Sequence, residues 1–450
     1  MSFVTLHTGL SGLRAAQTGV DVTANNVANA GTAGYTRQRV ELRARAPYDS
    51  PVGQIGTGVE VTDIVRLRDT FLDNRVRVAM ADATAHDARA TVLGQLENVF
   101  AEPDNGLTSE LDELWASLED WTLDPTSTAA RTVVLDRLSS VAARFNQIGT
   151  GAAQLRDDAR ETRDTILDSA GQALAEIAQI NAEVGNASQL SNQLLDRRDM
   201  LADEVASLLG ATSTVGSDGR MTVQVGGTTL VQGNTAATLS VVGDDVHVDG
   251  TAVASGSLGG EVGGLQQVIL GDVPDVLAAL DDIATQLADS LNAQHGAGVT
   301  ADGTPGTPLF TYTAGDAAAT LAVTTTDPDA LAARADAASG AYDATNAVAL
   351  ADLRTSLTAR TDGQRHDDAL RGLVVDVGTR VAGAERAALT AGDIAVAAEA
   401  NRTSAHGVSI DEEMVSLVQY QRALEANSRV MTAADEMLDT IVNRLGRVGR

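Results

Sequence analysis

The stretch TANNVANAGTAGYTRQRVEL, residues 23–42, decides how the fold begins, because a helical pattern ends within it and a strand pattern starts. The side chains of Asn25 and Asn26 compete for backbone hydrogen bonds, so the helix is expected to fray there. Gly31 and Gly34 follow, and glycine commonly occupies the position just past the end of a helix. The stretch therefore predicts a helix that stops before residue 34.

After these glycines the period of the apolar residues changes from that of a helix to that of a strand. Val40, Leu42 and Ala44 alternate with charged residues, which is typical of a strand with one face in water. A turn-rich loop over residues 47–58 leads into a second short alternating run. We therefore expect a long-looped β-hairpin over residues 36–66.

Before the asparagines, a column of apolar residues predicts an amphipathic amino-terminal helix. A repeat of seven places successive side chains on one narrow face of a helix. The repeating residues are Leu6, Leu13, Val20 and Val27, and Leu10 belongs to the same apolar set.

The carboxyl end of the chain carries the clearest repeat of seven. Ser409 and Glu412 have the S-x-x-E spacing of a capping box, which marks the start of a helix. The repeating column consists of Ile410, Leu417, Leu424, Met431, Leu438 and Leu445. We take its companion column to be the largely polar set Met414, Gln421, Ser428, Asp435 and Val442.

Each terminal helix therefore presents a single apolar stripe that needs a partner. Six large apolar side chains left in water would make the chain poorly soluble, because burying each one stabilises by roughly 1.5 to 3 kcal/mol. We expect the two ends to pack against each other, or against neighbouring copies, through the columns named above. The alternative is that each is an ordinary core helix of a bundle.

Between the termini, long amphipathic helices surround a Gly-, Thr- and Val-rich segment, and a break is expected at Asp124–Pro125 because proline disfavours helix at the preceding residue. The predicted fold class is mainly α with small β regions: paired terminal coiled-coil helices, an elongated helical bundle and a small antiparallel β subdomain. The expected division is 1–35 with 406–450 for the terminal coiled-coil domain, 36–66 for the connecting hairpin, 67–211, 264–296 and 328–405 for a discontinuous helical domain, and 212–263 with 297–327 for a β-rich region.

The composition narrows the classes of partner. The formal net charge is -29, and every one of the 32 basic residues is an arginine interleaved with acidic residues, so we expect no nucleic-acid partner. No apolar run reaches the 18 or so residues that span a bilayer, and the first residues lack the pattern of a cleavable signal peptide. The chain has no cysteine and so forms neither disulfides nor a thiolate nucleophile.

We predict no catalytic, metal or cofactor site, and no enzymatic activity. The six histidines lack the H-x-x-x-H spacing of a helical metal site, and the acidic residues beside His247 and His366 are typical of a polar turn and a solvated helix start. The glycine-rich residues 256–264 lack the lysine of a phosphate-binding loop. Trp115 and Trp121 are expected to anchor the helical core.

The two ends together resemble the bacterial flagellar axial proteins, the group of rod, hook and hook-associated proteins. GLSGLRAAQTGVDVTANNVANAGTAGYTRQRVEL, residues 9–42, is similar to the amino-terminal signature of that group, and its GYTRQ favours the hook-associated members. GVSIDEEMVSLVQYQRALEANSRVMTAADEMLDTIVNRLG, residues 407–446, resembles the hook-associated protein 1 family, and interior segments agree. The signature loop carried over from the resemblance comprises Asn25, Asn26, Asn29, Gly34, Tyr35 and Arg37.

The resemblance implies a structural protein at the junction between hook and filament, outside the cell, exported by the flagellar type III apparatus without a cleavable signal. It implies paired terminal helices that line an inner tube, an outer helical domain, and a further outer domain that residues 311–340 predict to be reduced or missing. The implied partners are other copies in a ring or tube, the hook protein, the second junction protein, and an export chaperone on the carboxyl-terminal helix. No cofactor, nucleic acid or membrane insertion is implied.

Two alternative functions stay open. Another axial protein, such as a hook or distal rod subunit, would share the end motifs, although the long helical stretch at residues 67–210 is unlike a hook protein. A secreted helical adhesin that binds glycans through residues 212–263 belongs to a different class.

Overall fold

Helix α1 (Ser2–Ala28) is the first element of the computed structural model, which describes residues 2–51, 53–100, 106–186 and 191–441. The expected fraying at Asn25 and Asn26 is wrong, because α1 continues through both and ends at Ala28. Their side chains bond to groups beyond the helix end and so do not compete with the helical ladder.

A hairpin follows α1, within the residues where the alternating pattern predicts one. Its strands are β1 (Gln38–Ala44), β2 (Tyr48–Ser50), β3 (Gly53–Ile55) and β4 (Val59–Arg66); β1 pairs antiparallel with β4, and β2 with β3. Val40 is buried, but Leu42 is 48% exposed opposite Val61. The register shifts between Glu41 and Leu42, and such a bulge re-aims the side chains that follow it.

Four helices form the first part of the body. They are α2 (Thr70–Phe100), α3 (Leu107–Leu123), α4 (Thr128–Asn186) and α5 (Asn192–Leu209). The predicted break at Asp124–Pro125 lies between α3 and α4. At 1.5 Å per residue, the 59 residues of α4 make a rod of roughly 90 Å. The mainly α fold class is confirmed.

Two small antiparallel sheets follow α5. Their strands are β5 (Thr212–Val215), β6 (Met221–Val225), β7 (Thr228–Gln232), β8 (Thr235–Ala236), β9 (Leu239–Val242), β10 (Asp245–Val248) and β11 (Thr251–Ala252), with β5 to β8 in one sheet and β9 to β11 in the other. Helix α6 (Gly260–Gln267) then begins inside the segment expected to be β. Its glycines serve close packing, since a Cβ on Gly264 would lie 2.1 Å from the carbonyl oxygen of Ala85 in α2.

The remaining elements are helical with one further strand pair. After a π-helical turn (Val268–Asp272) come α7 (Val273–Ala297), β12 (Phe310–Thr311), α8 (Ala317–Thr320), β13 (Ala322–Val323), α9 (Thr345–Asp352), α10 (His366–His406) and α11 (Ile410–Asp439). Residues 328–405, expected to be mostly helical, contain α9 and α10, but much of the stretch before α10 is not helical. The Arg334 guanidinium donates to the carbonyl oxygens of Ala301, Ala337 and Ser339, which holds much of this alanine-rich segment in turns.

The sequence pattern predicted one β-rich region over residues 212–263 with 297–327. The strands of these two segments instead lie in separate sheets. Strands β12 and β13 pair only with each other among the described strands. Asn146 of α4 donates to the carbonyl of Leu321 beside this pair, whereas Asn181, far along α4, donates to Met221 in β6. Each short sheet buries its apolar face on a different stretch of the long helix, because two to four short strands need such packing to be stable.

Trp115 and Trp121 are fully buried in the helical core, as expected. They lie on α3, whose apolar face packs against α4. The Trp115 indole donates a hydrogen bond of 2.9 Å to Asp367 at the start of α10. This contact joins the beginning of α10 to the core, and α10 then runs beside α2 toward the terminal helices.

Candidate functional site

Helices α1 and α11 pack against each other in antiparallel orientation. Later residues of α1 face earlier residues of α11. At three places where the helices come close, the residue on α1 is a glycine. A Cβ at these glycines would lie 3.3 Å from Met431 for Gly9, 2.4 Å from Asn427 for Gly12 and 2.5 Å from Tyr420 for Gly19. Glycine thus allows the two backbones to approach more closely than larger residues would permit.

The α1 side of this seam consists of small and polar residues at alternating steps of three and four. They are Gly9, Gly12, Ala16, Gly19, Thr23 and Asn26. The apolar column predicted from the sequence follows the seam by one position: Leu13, Val20 and Val27 come directly after Gly12, Gly19 and Asn26. Leu6, Leu10, Leu13, Val20 and Val27 are each half-buried. Their part in assembly stays a prediction.

On α11, the predicted column lies beside the seam, but its companion is a different one. The residues that face α1 are three positions after the members of the predicted column: Glu413, Tyr420, Asn427 and Ala434. The polar set that begins with Met414 is therefore not the companion, and Met414 is 46% exposed. A helical seam allows a step of either three or four, and the small face of α1 selects three.

Members of the predicted α11 column differ in exposure. Leu417, Leu424, Met431 and Leu438 are half-buried, whereas Ile410 is 53% exposed. Leu445 lies outside the described residues. The structure thus brings α1 and α11 together and leaves part of both apolar columns uncovered in the single chain.

Asn26 is the most highly connected residue of the signature loop, and it is 1% exposed. Its Nδ2 donates to the Gln38 carbonyl oxygen and to Glu413 Oε2, both at 2.9 Å. Its Oδ1 accepts from the Gln38 amide at 3.0 Å and from the Tyr35 hydroxyl at 2.8 Å. The amide side chain thus uses two donors and two acceptor positions, as many as it has.

The other asparagines of the signature loop form hydrogen bonds to residues near them in the chain. Asn25 Nδ2 donates to the Tyr35 hydroxyl at 3.1 Å, and Asn29 Nδ2 donates to the Asn25 carbonyl at 2.9 Å. Burial raises the pKa of Tyr35 to about 12, assisted by the negative charges of Asp196 and Glu413. The tyrosine therefore stays protonated and able to donate to Asn26 at ordinary pH.

Arg37 connects the loop to the first turn of α11. Its Nε donates to Glu413 Oε1 at 2.7 Å, and its Nη1 donates to Glu412 Oε2 at 2.8 Å. Ser409 accepts from the Glu412 amide, as its capping role predicts. The start of α11 is thus held by its own cap and by the amino-terminal loop.

Gly34 attaches the loop to the helical body. Its φ of 75° lies in the left-handed region, and a Cβ there would come within 2.0 Å of the Met200 sulfur on α5. The neighbouring amide of Thr36 donates to Asp196 of the same helix at 3.3 Å.

A ladder of alternating carboxylates and guanidinium groups continues from Asp196 and joins the hairpin to α2, α5 and α10. In order of contact it comprises Asp196, Arg66, Asp199, Arg68, Asp73, Arg402, Asp203 and Arg77. Our sequence reasoning missed it. The signal was the spacing of three and four between Asp196, Asp199 and Asp203, which places them on one helical face.

Carboxyl-terminal apolar residues remain in contact with water. Several large apolar side chains on α11 and just after it are between 41% and 62% exposed. They are Ile410, Met414, Val415, Val418, Val430, Met437 and Ile441. Of the described α11 residues, Glu413 and Ala434 are the buried ones. Such a concentration of exposed apolar side chains on one helix is typical of a protein interface.

Within the described part of the chain, no cluster of three or more His, Asp or Glu side chains is arranged to hold a metal ion. None of the described helices combines the length and apolar character needed to cross a membrane.

Models of three flagellar families match this chain. The model described as "Flagellar hook-associated protein FlgK helical domain" matches residues 93–310. "Flagella basal body rod protein" matches residues 6–36, and "Flagellar basal body rod FlgEFG protein C-terminal" matches residues 401–445. The two terminal matches cover most of α1 and α11, and the central one covers most of the helical body.

Individual relatives agree with these families. The chain is 30% identical to flagellar hook-associated protein 1 of Bacillus subtilis (strain 168), over 100% of this chain and 99% of that protein. It is 24% identical to flagellar hook-associated protein 1 of Escherichia coli (strain K12), over 97% of this chain and 99% of that protein. A solved structure of the flagellar hook junction protein FlgK from Burkholderia pseudomallei shares the fold, with a TM-score of 0.69 at 15% identity over 74% of this chain and 100% of that one.

Proposed function

Because this chain belongs to the flagellar hook-associated protein 1 family, whose members are structural proteins of the hook–filament junction of the bacterial flagellum, we propose that α1 and α11 form the surface by which it assembles there. The proposal assigns the chain no enzymatic activity. No observation favours a hook or rod subunit, or an adhesin.

The observation that carries the proposal is the uncovered apolar surface of the terminal pair. The seam between α1 and α11 is made mostly of small residues, so it leaves Leu6, Leu13 and Val20 on α1 only half-buried. On α11, Val418 and Val430 are 41% and 42% exposed. Covering each large apolar side chain stabilises by roughly 1.5 to 3 kcal/mol, so neighbouring subunits gain by docking on this pair.

The charge distribution supports the same surface. Residues 1–66 and 407–450 together contain 11 arginines and 12 acidic residues, a net charge of -1. Residues 67–406 contain 21 arginines and 49 acidic residues, a net charge of -28. Like-charged bodies repel one another, whereas the two terminal segments, which are nearly neutral together with the hairpin, can approach at little electrostatic cost.

We extend the proposal to the partners that the family suggests. Assembly with other flagellar axial proteins follows from family membership. The specific neighbours in the proposal are further copies in a ring or tube, the hook protein on one side and the second junction protein on the other. We also propose export by the type III apparatus without a cleavable signal peptide, with an export chaperone covering the apolar face of α11 until assembly.

Deleting the gene tests the proposed location. We expect intact hooks that lack filaments, with filament subunits released into the medium. Complementation with the wild-type gene should restore the filaments. Normal filaments on the deletion strain would contradict the proposal.

A pair of substitutions on α11 tests the assembly surface. Val418→Asp places a charge in the exposed apolar face and should abolish complementation of the deletion strain. Gln419→Asp introduces the same charge at the adjacent exposed residue without removing an apolar side chain, so it should complement well. Equal complementation by the two variants, at equal secreted levels, would rule out this face as the contact.

A further inference from the structure

Glu413 is a buried carboxylate held entirely by the amino-terminal end of the chain. It is 3% exposed, although α11 around it is largely in water. Oε1 accepts from Arg37 and Oε2 accepts from Asn26, at 2.7 and 2.9 Å. A buried charge is costly unless it is paired and hydrogen-bonded, and both conditions are met only while α1 and α11 are docked.

The residue that binds Glu413 also organises the base of the hairpin. Asn26 donates to the carbonyl and accepts from the amide of Gln38, the first residue of β1. One side chain on α1 therefore contacts α11 and β1 together. Contact passes from Glu413 through Asn26 to Gln38, and directly from Glu413 to Arg37, the residue just before β1.

We propose that Asn26 and Arg37 form a carboxylate-binding site, occupied by Glu413, that makes the ordered base of the β1–β4 hairpin conditional on the docking of α11. When a partner removes α11 from α1, Asn26 and Arg37 lose their carboxylate and the hairpin base loosens. Docking of α11 restores it. The inference deepens the proposed function, because it adds a coupling to the assembly surface, but it concerns the isolated chain.

Other contacts of the hairpin limit the effect to its base. The Val59 amide, at the far end of the pairing, donates to the Ser11 hydroxyl on α1 and does not involve α11. Ser11 is itself buried on α1. We therefore expect the coupling at residues 36–40 and 64–67, and little change near Val59.

Hydrogen–deuterium exchange of the full chain in solution tests the coupling. Glu413 acts as a positioning residue, so Glu413→Ala should speed exchange at residues 36–40 by about tenfold, the effect of losing a hydrogen-bonded anchor. Glu412→Ala is the matched control, because Glu412 is largely exposed and its side chain forms an ion pair with Arg37. It should change this exchange less than twofold, a small effect typical of exposed ion pairs.

A second variant tests whether the ordered hairpin base depends on the docking of α11, and it leaves the carboxylate-binding site unchanged. Gly12→Leu should force α11 away at Asn427, fourteen residues from Asn26 along α1. We expect faster exchange in α11 and at residues 36–40, with α4 unchanged. Faster exchange in α11 alone, in this variant or in Glu413→Ala, would overturn the proposal, as would an equal effect of Glu412→Ala. If Glu413→Ala also loses protection from exchange in α4, the Gly12→Leu variant decides whether the coupling exists.

These exchange results do not depend on whether the protein assembles at the hook–filament junction. Loss of the coupling with normal complementation by Glu413→Ala would leave the proposed function intact. Coupling in the isolated chain with normal filaments on the deletion strain would remove the proposed function and keep the inference.

Discussion

Gly19 of α1 lies so close to the ring of Tyr420 in α11 that a Cβ at position 19 would come within 2.5 Å of two ring carbons. The two residues are 401 positions apart in the sequence. Their contact shows that the terminal pair depends on the absence of a side chain on α1 as much as on the apolar columns of both helices. The consequences can be measured with single substitutions.

Gly19→Leu should separate the two terminal helices, because Tyr420 and its neighbours cannot yield enough room for four carbons. We expect exchange across α11 to rise at least about tenfold, which corresponds to a loss of about 1.4 kcal/mol. Gly31→Leu is the control, since a Cβ at Gly31 meets nothing within 4 Å. Equal exchange in the two variants would contradict the packing described here.

Gly34→Ala should destabilise the contact between the signature loop and α5. The left-handed φ costs a residue with a Cβ about 1 kcal/mol, and the clash with Met200 adds to it. Gly363→Ala carries the first cost alone, because Gly363 has a φ of 74° and open space around its Cα. Urea unfolding should show the larger loss for Gly34→Ala, and Met200→Ala should recover part of it. Equal losses at both glycines would exclude the close approach.

The stability of the body should fall as the pH is lowered from 7 to 5. Burial, assisted by the positive charge of Arg360, lowers the pKa of His366 to about 4. The unfolded chain binds the proton near pH 6.5, so stability is present above that pH and is lost below it, by about 2 kcal/mol at pH 5. His366→Phe, which keeps an aromatic ring against Trp115, should reduce this slope in urea unfolding. An unchanged slope would show that His366 is not its source.

The burial of His295 also makes the stability of the body fall as the pH is lowered. Burial lowers its pKa, and Nε2 accepts from the Ala332 amide, which the protonated ring could not do. Some pH dependence should therefore remain in His366→Phe.

Self-association of the purified chain should increase with salt. Residues 67–406 carry a net charge of -28, and the repulsion between copies of this segment is screened as the Debye length falls from about 10 Å at 0.1 M to about 3 Å at 1 M. Apolar contacts of the terminal pair are not weakened by this screening. Light scattering across this range should show growing assemblies. Association that weakens with salt would indicate contacts made by charge pairs instead.

Much of the local structure follows from residue patterns. The seven-residue columns locate both terminal helices, the alternation after Arg39 locates the hairpin, and Asp124–Pro125 locates the break between α3 and α4. These features are set by interactions between residues close in the chain. Residues 328–365 show where such reasoning fails: alanine favours helix locally, but Arg334 binds distant and nearby carbonyls that hold turns.

The site was only partly visible in the sequence. The signature loop was marked by its asparagines, but the ladder from Asp196 to Arg77 joins the hairpin to three separate helices, and no spacing in the chain specifies which arginine meets which aspartate. Arg402 reaches Asp203 across 199 positions, a pairing that depends on how α10 lies against α5.

The amino-acid sequence by itself determined two terminal helices with apolar columns, an asparagine-rich end to the first, and a helical body with little β structure. Tertiary structure alone decided that Glu413, Tyr420 and Asn427, and not the column of Met414, face α1, and that Asn26 binds Glu413 and Gln38. The reason is physical. A helix can continue a seam by a step of three or four residues, and an amide can bond to any donor or acceptor in reach, so both choices are made only when the partner surface is present.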